Sequence, residues 1–174
     1  MNVLHPGALS MTTFKFKAII SDANVLIDYA KANKKVLQLA AKHLCEVYVP
    51  TPILKEVKDI TGAELQRLGV VAFEPTLEQV VLAADRPLGL SFEDQLCFLI
   101  AKEQGWTCAT NDKQLRNQCV ASGVPIIWGL EIMLCLNKAG HLNRAEAEKT
   151  AEKICEVNKY IGQSVIKKFV AKLS

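Results

Sequence analysis

Five short apolar runs, each separated from the next by helix-like sequence, constrain the fold more than any other feature of the chain. They are Lys17–Ser21, Glu46–Val49, Gly69–Phe73, Trp106–Thr110 and Pro125–Trp128. Runs of this length read as strands buried on both faces. Their alternation with helices is the pattern of a parallel sheet flanked by helices, because parallel neighbours need a crossover between them. The intervening segments carry helix punctuation. Asn24 to about His43 reads as helix with a break near Asn33. Thr51 reads as an N-cap with Pro52 at the first helical position, and a short helix follows from Gly62. Another helix runs from Thr76 to about Ala84, and Asp85–Gly89 is a loop. Ser91 opens a strongly apolar helix that Gly105 ends, and Asp112 opens another that runs to Ala121. Beyond the fifth run the sequence is helical, with breaks at Gly140 and Gly162 and a capping-box-like start at Asn143 and Glu146.

The chain has 174 residues, enough for one domain with a sizeable core, and half are hydrophobic, which argues against disorder. The expected organisation is a flexible lead-in over 1–14, an α/β domain over 15–129, and a helical extension over 130–174 packed on the same domain. With 21 basic and 18 acidic residues the net charge is +3, mildly basic, which neither announces nor excludes a nucleic-acid partner. The six cysteines show neither a CxxC pair nor zinc spacing, and most lie in apolar stretches, so they read as reduced, packed thiols. No signal peptide and no membrane-length apolar run is present, which implies a soluble cytoplasmic protein with no membrane partner.

Four carboxylates stand out. Asp22 and Asp112 lie at the carboxyl ends of the first and fourth strands, where parallel sheets bind ligands. Each also opens a helix, so a simple cap or first-turn acid is the competing explanation. Asp94 shares a helix face with Cys97 and Phe98 in a helix expected to be largely buried, and a buried carboxylate is costly unless paired or bound to a cation. Ser91-x-x-Asp94 also resembles a capping box, and Glu93 reads as the exposed neighbour. Glu56 sits one turn past Pro52 beside the stripe Ile53, Val57, Ile60, either as a surface residue or as a turned-in ligand. Four acids brought together need opposing charge, and hard oxygen donors without His or Cys select Mg²⁺ or Mn²⁺. Such a site suits phosphoryl chemistry, with metal activating water and stabilising charge on the attacking and leaving oxygens.

Four segments carry a family resemblance: Ile19–Asp28 (IISDANVLID), Ile53–Val57 (ILKEV), Leu90–Asp94 (LSFED) and Ala109–Asp112 (ATND). In this order the chain, from about Ala18 to Trp128, resembles the PIN-domain ribonucleases, which include the toxins of VapBC-type toxin–antitoxin pairs. The resemblance implies a three-layer α/β/α sandwich with a five-stranded, mainly parallel sheet, extended here by C-terminal helices. It implies that Asp22, Asp94 and Asp112 are metal ligands, that Glu56 is a further ligand or orders the attacking water, and that Thr110 supports the site by hydrogen bonding. Asn24 has a minor supporting role or is simply a helix-start residue. The helical tail is longer than in the smallest toxins.

The expected function is a Mg²⁺- or Mn²⁺-dependent endoribonuclease hydrolysing phosphodiester bonds of single-stranded RNA, with toxin status as its narrower form. The rival is a non-catalytic PIN-fold module that binds RNA or a protein. A phosphotransfer enzyme using Asp22 as nucleophile is disfavoured because position 24 is Asn, which breaks the DxD pattern. Lys113 and Arg116 are candidate phosphate contacts or ordinary helix-surface residues. RNA, a cognate antitoxin and a second copy of the chain are the partners implied. His5, His43 and His141 carry no motif, so no general-base histidine is expected. The four lysines between Lys159 and Ser174, with no acid among them, mark either an RNA-contacting helix or a solvated helix docked on the core.

Overall fold

The computed structural model describes residues 15–174. The proposed lead-in over 1–14, and His5 with it, lies outside the described residues. The five strands are β1 (Ile19–Ser21), β2 (Val47–Pro50), β3 (Val71–Phe73), β4 (Thr107–Ala109) and β5 (Ile126–Ile127), and all pair in parallel in the order β3-β2-β1-β4-β5. Helices α1 (Ala23–Ala32) and α2 (Lys35–His43) connect β1 to β2, with the expected break at Asn33. Helices α3 (Thr51–Glu56) and α4 (Gly62–Arg67) lead to β3. Helices α5 (Leu77–Ala84) and α6 (Phe92–Gln104) carry the chain across the sheet to β4, and α7 (Lys113–Ala121) leads on to β5. The tail forms α8 (Gly129–Lys138), α9 (Arg144–Val157) and α10 (Gln163–Val170).

Helices α1, α2 and α8–α10 pack together, and α5, α6 and α7 form a second group, giving the three-layer sandwich. β1, the central strand, and its neighbour β4 are buried along their whole length, as two covered faces require. β3, at the edge, is mostly exposed. One hydrophobic core runs from Ala18 to Leu173 and includes Met133, Leu136, Ile154 and Phe169, so the tail helices share the core of the sheet.

Four of the five strands are shorter than their apolar runs, and β2 is shifted by one residue to Val47–Pro50. Thr51 is not the N-cap of α3. Pro50 holds that position, and the Thr51 hydroxyl donates instead to Glu74 Oε2 at 2.8 Å. Thr76, Ser91, Asp112 and Asn143 cap their helices as the sequence suggests. Gly105 ends α6 with φ +67°, a left-handed conformation that only glycine adopts without strain. All six cysteines are free thiols, four of them buried. Among the described residues no helix is long and apolar enough to cross a membrane.

Candidate active site

The strand order makes one position special. The chain winds outward from β1 through β2 to β3, then returns to place β4 on the other side of β1. The crossovers therefore part between the carboxyl ends of β1 and β4, the crevice where open α/β sheets bind ligands. Asp22 follows β1 directly, while Thr110, Asn111 and Asp112 follow β4.

Asp22 is fully buried. Its amide donates to the Ala109 carbonyl at 3.1 Å, fastening the end of β1 to β4. Its Oδ1 accepts from the Val25 amide at 2.8 Å and caps α1, while Oδ2 has no hydrogen-bond partner. Burial pushes this carboxyl up to about 7. The neighbouring Thr110 hydroxyl and the Val25 amide pull it down, and the charges of Asp94 and Asp28 push it up again. A buried carboxylate oxygen without a partner carries a desolvation penalty of several kcal/mol unless a proton or a cation takes it up.

Asp94 enters from the N-terminus of α6. The expected capping box forms: Ser91 Oγ accepts from the Asp94 amide at 3.0 Å, and Asp94 Oδ2 accepts from the Ser91 amide at 3.4 Å. The cap and the cluster are thus not alternatives, because the same helix start aims Asp94 at the crevice. Burial raises its pKa, opposed by the bonds to Ser91 and reinforced by the charges of Asp112 and Glu93. Asp112 Oδ1 accepts from Leu115 N at 2.8 Å and caps α7, while the Asp112 amide donates to Thr110 Oγ1 at 3.0 Å. Thr110, fully buried, accepts from the Asp112 amide, and its hydroxyl lowers the pKa of the neighbouring Asp22.

Glu56, the last residue of α3, is exposed rather than turned into a pocket. Its pKa is raised, first by the charge of Glu93, then by desolvation and by a hydrogen bond with that same side chain. Glu93 is half-buried and faces Glu56, so it belongs to the site and is not a bystander. The one sequence signal for it was its place beside Asp94 in the first turn of α6. Asn111 was also missed. Its Oδ1 accepts from the Gly129 amide at 2.9 Å, joining the end of β4 to α8. A Cβ on Gly129 would lie 3.0 Å from Asn111 Nδ2, so the close approach depends on glycine there.

The acids form a chain of mutual repulsion: Asp22 with Asp94, Asp94 with Asp112 and with Glu93, and Glu93 with Glu56. Among the described residues no group of three or more His, Cys, Asp or Glu side chains is already arranged to hold a metal ion. Three of the acids, Asp22, Asp94 and Asp112, are engaged in helix caps, and the like charges favour separation. The donor chemistry nonetheless suits a hard divalent cation, and Asp22 Oδ2 is the atom most in need of one.

Comparison with protein-family models, with curated proteins and with solved structures finds no match to this chain.

The remaining candidates lie around the rim. Asn24 is exposed on the first turn of α1 and Lys113 is exposed at the start of α7. Arg116 is partly committed: its guanidinium stacks 3.5 Å from the Trp128 ring centroid and its Nε donates to the Asp112 carbonyl at 3.3 Å. His43 and His141 stack on each other with ring centroids 3.7 Å apart, a pairing of the end of α2 with the turn after α8.

Proposed function

We propose that this protein is a metal-dependent endoribonuclease that hydrolyses phosphodiester bonds of single-stranded RNA, a member of the PIN-domain class its motifs resemble. The observation that carries the proposal is the fully buried Asp22 carboxylate, with an unpartnered Oδ2, at the point where the strand order reverses and beside the charge of Asp94. Asp22, Asp94 and Asp112 would hold Mg²⁺ or Mn²⁺. When bound, the cation supplies a Lewis acid that activates water and offsets charge on the phosphoryl oxygens. Thr110 holds Asp22 and Asp112 in orientation. The charge of Glu93 raises the proton affinity of Glu56 at the outer edge of the cluster, which suits Glu56 to accept a proton at its carboxylate.

A non-catalytic module remains the rival, and the caps made by Asp22, Asp94 and Asp112 favour it, since capping gives all three residues a structural purpose. The role of a toxin with a cognate antitoxin is the narrower form of the proposal. Incubation of a mixed single-stranded RNA with Mg²⁺, Mn²⁺ or EDTA, beside Asp22→Asn and Asp94→Asn, separates the readings. Metal-dependent cutting lost in both variants is the expected result. RNA binding without cutting by the unmutated protein establishes the rival.

A further inference from the structure

A groove of about 1050 Å³ runs away from the carboxylate cluster. Asp112 and Lys113 stand at the end nearest the cluster, α1 and α8 form one wall, and the end of α9, the turn after it and α10 form the other. The C-terminal helices therefore build half of this groove.

Four lysines and four carboxylates face it, so its formal charges balance, and the difference lies in their exposure. Lys113, Lys159, Lys168 and Lys172 line it, all exposed, and none belongs to any of the ion pairs among the described residues. Three of its acids are held back from solvent, Asp28 buried and Asp112 and Glu131 half-buried, each accepting a hydrogen bond within the fold while keeping its charge. Asp28 accepts from Asn158 Nδ2 at both oxygens, at 3.0 and 2.9 Å, and Glu131 Oε2 accepts from the Trp128 amide at 2.9 Å. Asp112 belongs to the cluster and caps α7, which leaves Glu156 as the one lining acid outside these bonds. Aromatic surface is offered on both sides. Tyr160 is 85% exposed on the α9–α10 turn, with Lys159 Nζ 5.1 Å from its ring centroid, and Trp128 is 41% exposed at the start of α8, with Arg116 stacked on one face of its ring. Between them Ile27, Leu130, Leu134 and Phe169 provide an apolar floor.

We infer that this groove is the track for the single-stranded RNA that flanks the scissile phosphate, with lysines on the backbone and bases over Tyr160, Trp128 and the apolar floor. The link to a scissile phosphate rests on the nuclease reading; the existence of an RNA track does not. Unpaired cations alternating with exposed rings are the combination that holds single strands without sequence readout. A duplex keeps its bases stacked inside, out of reach of such rings. A neutral or basic protein segment could use the floor but would leave the four lysines without partners.

The test uses the full chain carrying Asp22→Asn, which separates binding from cutting, and a labelled single-stranded RNA of about twelve nucleotides followed by fluorescence anisotropy. Tyr160→Ala should weaken binding at least about fivefold, the lower end for loss of one stacked base. Lys168→Ala with Lys172→Ala should reduce the slope of log affinity against log salt by about 1.4, while the double Lys→Arg variant keeps it. Duplex RNA of the same sequence should compete poorly. All these side chains are exposed, so melting temperatures should not change. Groove variants that bind as the parent does, or equal competition by duplex, would overturn the inference. Absence of RNA binding would overturn it in favour of a protein segment as occupant. Groove-dependent binding together with no metal-dependent cutting by the unmutated chain would sink the nuclease reading and leave the groove standing.

Discussion

The two halves of the sheet end in opposite ways. β2 and β3 run out into partly exposed chain, where the carboxylate of Glu74 is met by the Thr51 hydroxyl. β1 and β4 run out into a crevice where Asp22 is fully buried and one of its oxygens is left without a partner. Both halves carry acids beyond their strands, so acid placement alone does not mark a site. What separates them is cost. The outer half satisfies its carboxylate at little expense, and the inner half holds one that stability alone would remove. Under the proposed reading, the cation at this switch point would offset that cost.

Replacing Asp22 breaks the comparison with the largest effect. Asp22→Asn should lower RNA cleavage by roughly 10²–10³-fold, the scale for losing one preorganised electrostatic partner of the reacting group. The metal-free variant should be more stable than the parent at pH 8, read by thermal melting. A pH series sharpens the same point. Because the folded-state pKa of Asp22 is raised from 3.8 to about 7, the folded state binds this proton more tightly than the unfolded chain does. The contribution is therefore favourable below pH 4 relative to neutral pH and is lost progressively as pH rises to about 7, by a few kcal/mol in all. In Asp22→Asn that component should vanish from the difference between pH 5 and pH 8.

Thr110→Val should reduce activity by about tenfold or more, the scale for an orienting partner of a metal ligand, because it removes the hydroxyl that serves Asp22 and Asp112 together. Ser91→Ala should cost about 1 kcal/mol of stability through the lost cap, with a smaller loss of activity than Asp94→Asn. That contrast separates the two duties of Asp94. The smallest effect belongs to the outer edge of the cluster. Glu93→Gln removes the largest cause of the raised Glu56 pKa, so the acidic limb of the pH–rate profile should move to lower pH.

Much of the architecture was legible because short apolar runs and helix caps are local signals. Ser91, Thr76 and Asn143 announce their helices within four residues, and five strand-like runs admit few arrangements. Thr51 misled because Pro50 and Thr51 are both acceptable at a helix start, and a distant acid, Glu74, decided between them. In the site, Asp22 and Asp112 could be placed from the strand ends. The partnership of Glu56 with Glu93 could not, since it joins α3 to α6 across the fold. The groove was equally hidden. The sequence offers a lysine-bearing tail, and only tertiary packing sets Lys168 and Lys172 opposite α1 and α8, in line with Asp112.

The most direct test of the central claim is a Mn²⁺ or Mg²⁺ titration at pH 8 followed by thermal melting, for the full chain and for Asp22→Asn. A cation at the cluster should raise the melting temperature of the parent in a saturable way, with about 2.7 kcal/mol of stabilisation at a hundredfold excess over the dissociation constant, and should leave Asp22→Asn nearly unmoved. An unchanged melting temperature for the parent at millimolar metal, or an equal rise in both proteins, would contradict a metal site built on Asp22.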